Sequence, residues 1–194
     1  MRNRAPGGAN DDRLTTRDGL SEPLRVLLDK YPRETWEGNS RFYGLSSFWI
    51  ERHGMFRQMS ETLESDAQAM MALLMEPQSY GRKLSRLAGS MVQNLHGHHM
   101  IEDHQYFPLL AKRDGRLKRA FTMLDKDHHA LDGLINEFIE ESNVVLEGLL
   151  EGKDARDLVD RYQPTLHRFN TLIERHLFDE EDIIVPVLLE YGDP

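Results

Sequence analysis

Four stretches between residues 46 and 191 carry apolar side chains at alternating steps of three and four, and a histidine breaks each stripe mid-length. That spacing lines one face of an α-helix, so it constrains the chain to four amphipathic helices. The first stripe reads Trp49, His53, Phe56, Ser60, Leu63, Ala67, Met70, Leu74, and the second Leu84, Ala88, Met91, Leu95, His98, Glu102, Gln105, Leu109. The third reads Phe121, Leu124, His128, Leu131, Ile135, Phe138, Ser142, Val145, Leu149, and the fourth Tyr162, Leu166, Phe169, Ile173, His176, Glu180, Ile183, Val187. Breakers are sparse and cluster at "MEPQSYG", "KRDGR" and "EGKD". They leave helices of roughly 30 residues joined by short connections, which make sequential helices antiparallel neighbours. The expected fold is all-α, an up-down-up-down antiparallel four-helix bundle.

Ahead of the bundle, "SEPLRVLLDKYP" predicts one short extra N-terminal helix, with Ser21 as cap, Pro23 in its first turn and Pro32 beyond its end. Residues 1–20 are polar and glycine-rich and read as a poorly ordered tail. The expected organisation is therefore a tail over 1–20, a short helix and loop packing on the bundle over 21–44, and the bundle itself over 45–194. The absence of cysteine excludes disulfides, thiolate ligands and cysteine nucleophiles. A formal net charge of −9 without a Lys/Arg cluster argues against nucleic acid or an anionic membrane as partner. No apolar run is long enough to span a bilayer and residues 1–20 lack a signal-peptide core, so a cytoplasmic location is expected. Oligomeric state leaves no mark in the sequence.

Register chooses among the nine histidines. His98 and His128 continue apolar stripes, whereas His99 and His129 lie about 100° around their helices. His96, His104 and His167 point off the core face. An internal repeat at an offset of 78 residues pairs His98 with His176, Glu102 with Glu180, Asp103 with Glu181 and Pro108 with Pro186. His53 and His128 correspond on the first and third helices. Counted from the helix ends, all of these lie about 10–22 Å from the same end of an antiparallel bundle, at 1.5 Å per residue. Six side chains, His53, His98, Glu102, His128, His176 and Glu180, are thus expected to converge on one layer of the core.

A His and a Glu four apart stand on one helix face, where both reach a single ion. Imidazole and carboxylate donors without thiolate suit iron, manganese or zinc, and two carboxylates between two ions favour a dinuclear centre. Without a cation, two buried carboxylates would be costly. His99 and His129 are candidates to support a ligand by hydrogen bonding. Asp103 and Glu181 are either solvated or play the same supporting part, and Tyr106 is placed to hydrogen-bond a ligand or a bound small molecule. Gly54, Gly97 and Gly133 fall inside the helices near this layer, either leaving room for a small ligand or allowing close helix packing.

The segments "WIERHGMF", "HHMIEDHQYFPLL", "LDKDHHALDGLI" and "HLFDEEDIIVP" together resemble the hemerythrin-like family of HHE cation-binding domains, over residues 45–191. The resemblance implies a non-haem di-iron centre with His53, His98, Glu102, His128, His176 and Glu180 as ligands. It also implies oxygen, nitric oxide or peroxide as the small molecule bound or sensed. Oxygen carriers of the family have a second histidine four residues on from the first in the third helix, where this chain has Asp132. Their last carboxylate follows its histidine by five residues rather than four. The pattern is closer to iron- and redox-sensing members. The alternative is a di-iron oxidase or peroxidase of ferroxidase-like type, and a third reading is a structural bundle with a zinc-filled site.

Overall fold

The structure, a computed structural model, describes residues 12–194. Regular structure among these residues is helical throughout, with no strand. α1 spans Leu45–Met71 and α2 spans Pro77–Ile101; a π turn over Glu102–Tyr106 carries α2 into the single turn of α3, Phe107–Leu110. α4 spans Lys118–Leu150 and α5 spans Ala155–Tyr191. α1 packs on α2 and α5, and α4 packs on the same two, so the four long helices ring one interior.

The helix ends follow local chemistry. Pro77 opens α2, where its missing N–H would have had no partner. The Asp154 carboxylate caps α5 by accepting from the N–H groups of Arg156 and Asp157 at 2.8 and 3.1 Å. α5 stops at Gly192, whose φ of 76° is readily reached only without a Cβ.

The apolar stripes are buried nearly as counted, and they form two cores rather than one. Phe56, Leu95, Leu131, Ile173 and Leu177 belong to the larger, which runs to a stacked pair, Phe138 and Phe169, with ring centroids 4.2 Å apart. Trp49, Phe107, Leu124 and Ile183 belong to the other. On α1, α2 and α4 the ligand-type residues fall between these two sets, and on α5 His176 and Glu180 flank Leu177 at the border of the larger core, so a polar layer has hydrocarbon on both sides.

Two expectations need correction. In place of a single helix, residues 21–35 form 3-10 turns at Glu22–Leu24 and Arg33–Thr35 with a further turn between them. A helix this short is marginal in water, and docking of Leu24 and Leu27 into the second core decides its shape instead. Gln105 and Leu109, expected on the core face, are exposed, while Phe107 and Leu110 are buried. The Phe107 N–H donates to the carbonyl of Glu102, five residues back, and this wider turn moves the register on by one. Pro108 follows at once; lacking an N–H and crowding the carbonyl four residues earlier, it favours the irregularity. Pro186 holds the equivalent place in α5, which stays α-helical.

Residues 12–44 lie over the C-terminal half of α5. Trp36 and Phe42 join Val185 and Leu189, and from His176 to Leu189 only Phe178 is exposed. Of the expected tail, residues 1–11 lie outside the described residues, while Leu14 and Arg17 are buried. No helix among the described residues is long and apolar enough to cross a membrane.

Of the two purposes suggested for the glycines near the polar layer, close helix packing does not apply. A Cβ built on Gly54, Gly97 or Gly133 meets nothing within 4 Å among the described residues, whereas one on Gly148 would stand 2.6 Å from Leu158. Gly54→Ala, Gly97→Ala and Gly133→Ala are each expected to stabilise the fold by about 1 kcal/mol, the helix-propensity difference. A urea titration reads this directly; a lower midpoint for any of the three would show a contact that these distances do not contain.

Candidate metal centre

All six residues expected to converge do so. Ligand atoms of His53, His98, Glu102 and Glu180 lie within 4.8 Å of one another, and a second group of the same compactness holds His99, His128 and His176. The two carboxylates link the groups. Glu102 Oε1 is 2.9 Å from His98 Nε2, and its Oε2 is 3.5 Å from His128 Nε2. Glu180 Oε1 is 3.6 Å from His53 Nε2, and its Oε2 is 3.2 Å from His176 Nε2. Each glutamate therefore offers one oxygen to each half.

The imidazoles are oriented from behind by a second tier of carboxylates. His53 Nδ1 lies 3.0 Å from Glu181 Oε1, His128 Nδ1 2.8 Å from Asp103 Oδ1, and His176 Nδ1 3.5 Å from Asp127 Oδ2. Carboxylates only accept, so the hydrogen-bond network assigns the Nδ1 protons and aims the Nε2 lone pairs inward. His53 Nε2 and His98 Nε2 face each other at 3.1 Å in one half, and the oriented Nε2 atoms of His128 and His176 do so at 3.1 Å in the other. Lone pairs at that distance repel unless a cation or a proton lies between them.

Fit to a metal rests on buried atoms left without a hydrogen-bond partner. Both Glu102 oxygens, Glu180 Oε2 and His99 Nε2 are buried without a hydrogen-bond partner among the described residues. Buried polar atoms are nearly always paired, and leaving several unpaired in one spot is costly. Nitrogen and oxygen donors with no sulfur, two carboxylates that each face both histidine sets, and a hydrogen-bonded tier behind them are what iron, manganese or zinc accept.

Electrostatics agree with the geometry. Burial, reinforced by Glu180, pushes the Glu102 carboxyl well above the usual range. Against burial, His53 and His176 hold Glu180 well below it. Burial drives His98 down to about 3 and His99 well below an ordinary histidine, keeping both neutral and able to donate a lone pair. His176 is raised to about 9, with Asp127 and Glu180 outweighing its burial.

The family model described as the hemerythrin HHE cation binding domain matches residues 45–188. The chain belongs to the hemerythrin family. No curated protein and no solved structure is significantly similar to it. Membership carries cation binding with it, and the two His/Glu groups are where this hemerythrin-family chain has the donors for it.

Counting register gives His99 and Asp103 at most a supporting part at this hemerythrin centre and gives Trp49 and Asp127 none. His99 is buried, its ring stacked on His128 with centroids 4.0 Å apart and its Nε2 without a partner. The polar stripe one step from the core face, which includes His99 and Asp103, borders the centre too; one hundred degrees of rotation was a smaller separation than the width of the site. The Trp49 indole N–H donates to Glu180 Oε1 at 2.5 Å. Asp127, one residue before His128, sits off the apolar stripe, and the heptad count gives it no place. His129 is exposed, bonded to the carbonyl of Asp125, and takes no part; His96, His104 and His167 are likewise exposed. Tyr106 lies edge-on to Trp49, with centroids 5.0 Å apart.

The acidic run at 179–182 is wholly buried, which composition alone would not suggest. Each residue has its own purpose. Asp179 meets Arg17, Glu180 faces the centre, Glu181 meets His53, Arg57 and Arg33, and Asp182 meets Arg33.

Proposed function

We propose that the chain is a non-haem dinuclear metal protein with iron as its resident metal, manganese and zinc being the competitors. His53 and His98 would hold one ion, His128 and His176 with His99 as third nitrogen would hold the other, and Glu102 and Glu180 would serve both. The short links over residues 72–76 and 151–154 support an up-down-up-down course for the four helices. The observation that carries the metal reading is the pair of glutamates whose opposed oxygens face different histidine sets.

A bound di-iron pair supplies redox chemistry and open coordination positions for a small ligand. With five histidines and two carboxylates the donor set is nitrogen-rich, and this favours reversible binding or sensing of oxygen, nitric oxide or peroxide over ferroxidase turnover. With both glutamates shared, the half at His53 and His98 would have two histidines against three in the other, so an open position for an outside ligand would fall there, beside Trp49 and Phe56.

Metal analysis of protein made with added iron is expected to find two ions per chain; a content near zero overturns the reading. His98→Ala and His99→Ala are each expected to lower the loading to about one ion, from opposite halves, with different visible spectra. Two ions held as tightly in His99→Ala as in the parent would remove His99 from the ligand set while leaving the centre itself intact.

A further inference from the structure

The strongest remaining feature is an arginine outside the hemerythrin domain. Arg17 is 7% exposed although it carries a full charge. Its Nη1 and Nη2 donate to the two oxygens of Asp127 at 2.8 and 2.5 Å, and its Nε donates to Asp179 Oδ2 at 2.6 Å. Nη1 also reaches the carbonyl of Asp12 at 2.9 Å. This is a planar fork used at full stretch, and a lysine ammonium cannot reproduce it.

The position of those two carboxylates gives the contact its meaning. Asp127 precedes His128 on α4, and Asp179 precedes Glu180 on α5. Asp127 Oδ2, which Arg17 holds, is also the atom behind His176 Nδ1. One guanidinium therefore ties together the two helices that carry the His128/His176 half, one residue away from a ligand on each. The His53 half is supported differently: Glu181 behind it receives both Arg33 and Arg57, so it keeps a cation from α1 even without the N-terminal segment. Among the described residues, Arg17 is the only lysine or arginine within ion-pair distance of Asp127 or Asp179.

We propose that Arg17 is a positioning residue of the metal centre, through which the segment preceding the hemerythrin domain sets the affinity and electronic character of the ion at His128 and His176. The inference rests on the dinuclear reading above. Its physical content is that Asp127, fixed and charge-balanced by Arg17, fixes the ring of His176 and tunes its basicity. Asp179, fixed in the same way, steadies the backbone that presents Glu180. Partners of this kind, one bond behind a ligand, are worth about 10–100-fold in metal affinity.

The test uses the full chain, loaded with ferrous iron, in three variants: Arg17→Ala, Arg17→Lys and Asp127→Asn. Iron per folded chain, release to a chelator and the visible spectrum are read together with the melting temperature. In Arg17→Ala one of the two ions is expected to leave about 10–100-fold faster, while the ion at His53 and His98 stays. Arg17→Lys falls between, since it keeps the charge and loses the fork. Asp127→Asn loses the same ion from the other end of the contact, which covers the case in which Arg17→Ala does not fold. Arg17→Lys and Asp127→Asn that melt lower yet hold both ions with parent spectra and release rates would make the contact purely structural and overturn the proposal. A parent protein that takes up no iron overturns the metal centre itself; a parent with two ions and variants indistinguishable from it overturns only the part assigned to Arg17.

Discussion

Glu180→Ala is expected to strip metal from both positions, where loss of any one histidine strips it from one. Glu180 is fully buried, with Oε1 directed at the His53 half and Oε2 at the His176 half. Its carboxylate is the one negative group that Trp49 steers directly, through a 2.5 Å hydrogen bond from the indole. On the dinuclear reading, removing it would take a donor from each ion and a full negative charge from between two cations. The loss of affinity is expected to exceed the roughly 100-fold upper range of an outer-tier change. Metal analysis after dialysis against a weak chelator distinguishes the cases: near zero ions in Glu180→Ala against about one in His176→Ala. One ion retained in Glu180→Ala would mean that Glu102 alone bridges.

Metal removal is expected to produce the second large effect, a fall in thermal stability without loss of helix. Binding to the folded state alone stabilises by about 4 kcal/mol when metal is present at a thousand times its dissociation constant. For a chain of this size each kcal/mol moves the midpoint by about 2–4 °C, so a strong chelator should lower it by roughly 8–16 °C. The helices themselves should persist, because the core around Phe138, Tyr162 and Phe169 packs away from the polar layer. Circular dichroism melts with and without chelator measure both quantities. An unchanged midpoint would show that the buried layer is satisfied by protons alone.

How far the site was legible follows from what a heptad count measures. It reports which side chains share a helix face, and for His53, His128, His176 and Glu180 that is enough, since their helices run regularly through the layer. On α2 the count holds to Glu102 and then fails at Gln105 and Leu109, because a π turn is a feature of backbone hydrogen bonding rather than of residue spacing. Pro108 marks the place, yet Pro186 in the same repeat position leaves α5 regular. The count also treats a face as a line. His99, Asp103 and Asp127 sit beside that line and still reach a site made of two donor groups.

The part of the chain before α1 was beyond any such reading. Residues 12–44 have no period, and their apolar anchors Leu14, Leu24, Leu27, Trp36 and Phe42 are isolated in sequence. Nothing marks Arg17 off from the other arginines until Asp127 and Asp179 are brought to it from more than a hundred residues away.

Helical class, the two His-x3-Glu halves and the donor chemistry were determined by the sequence itself, because each is a property of residue type and spacing along one helix. Only the tertiary structure decided how the donors divide between two halves, that His99 joins one of them, and that arginines from the N-terminal segment stand behind the ligands. Those outcomes depend on distances between helices, and periodicity within a helix carries no information about what another helix brings to meet it.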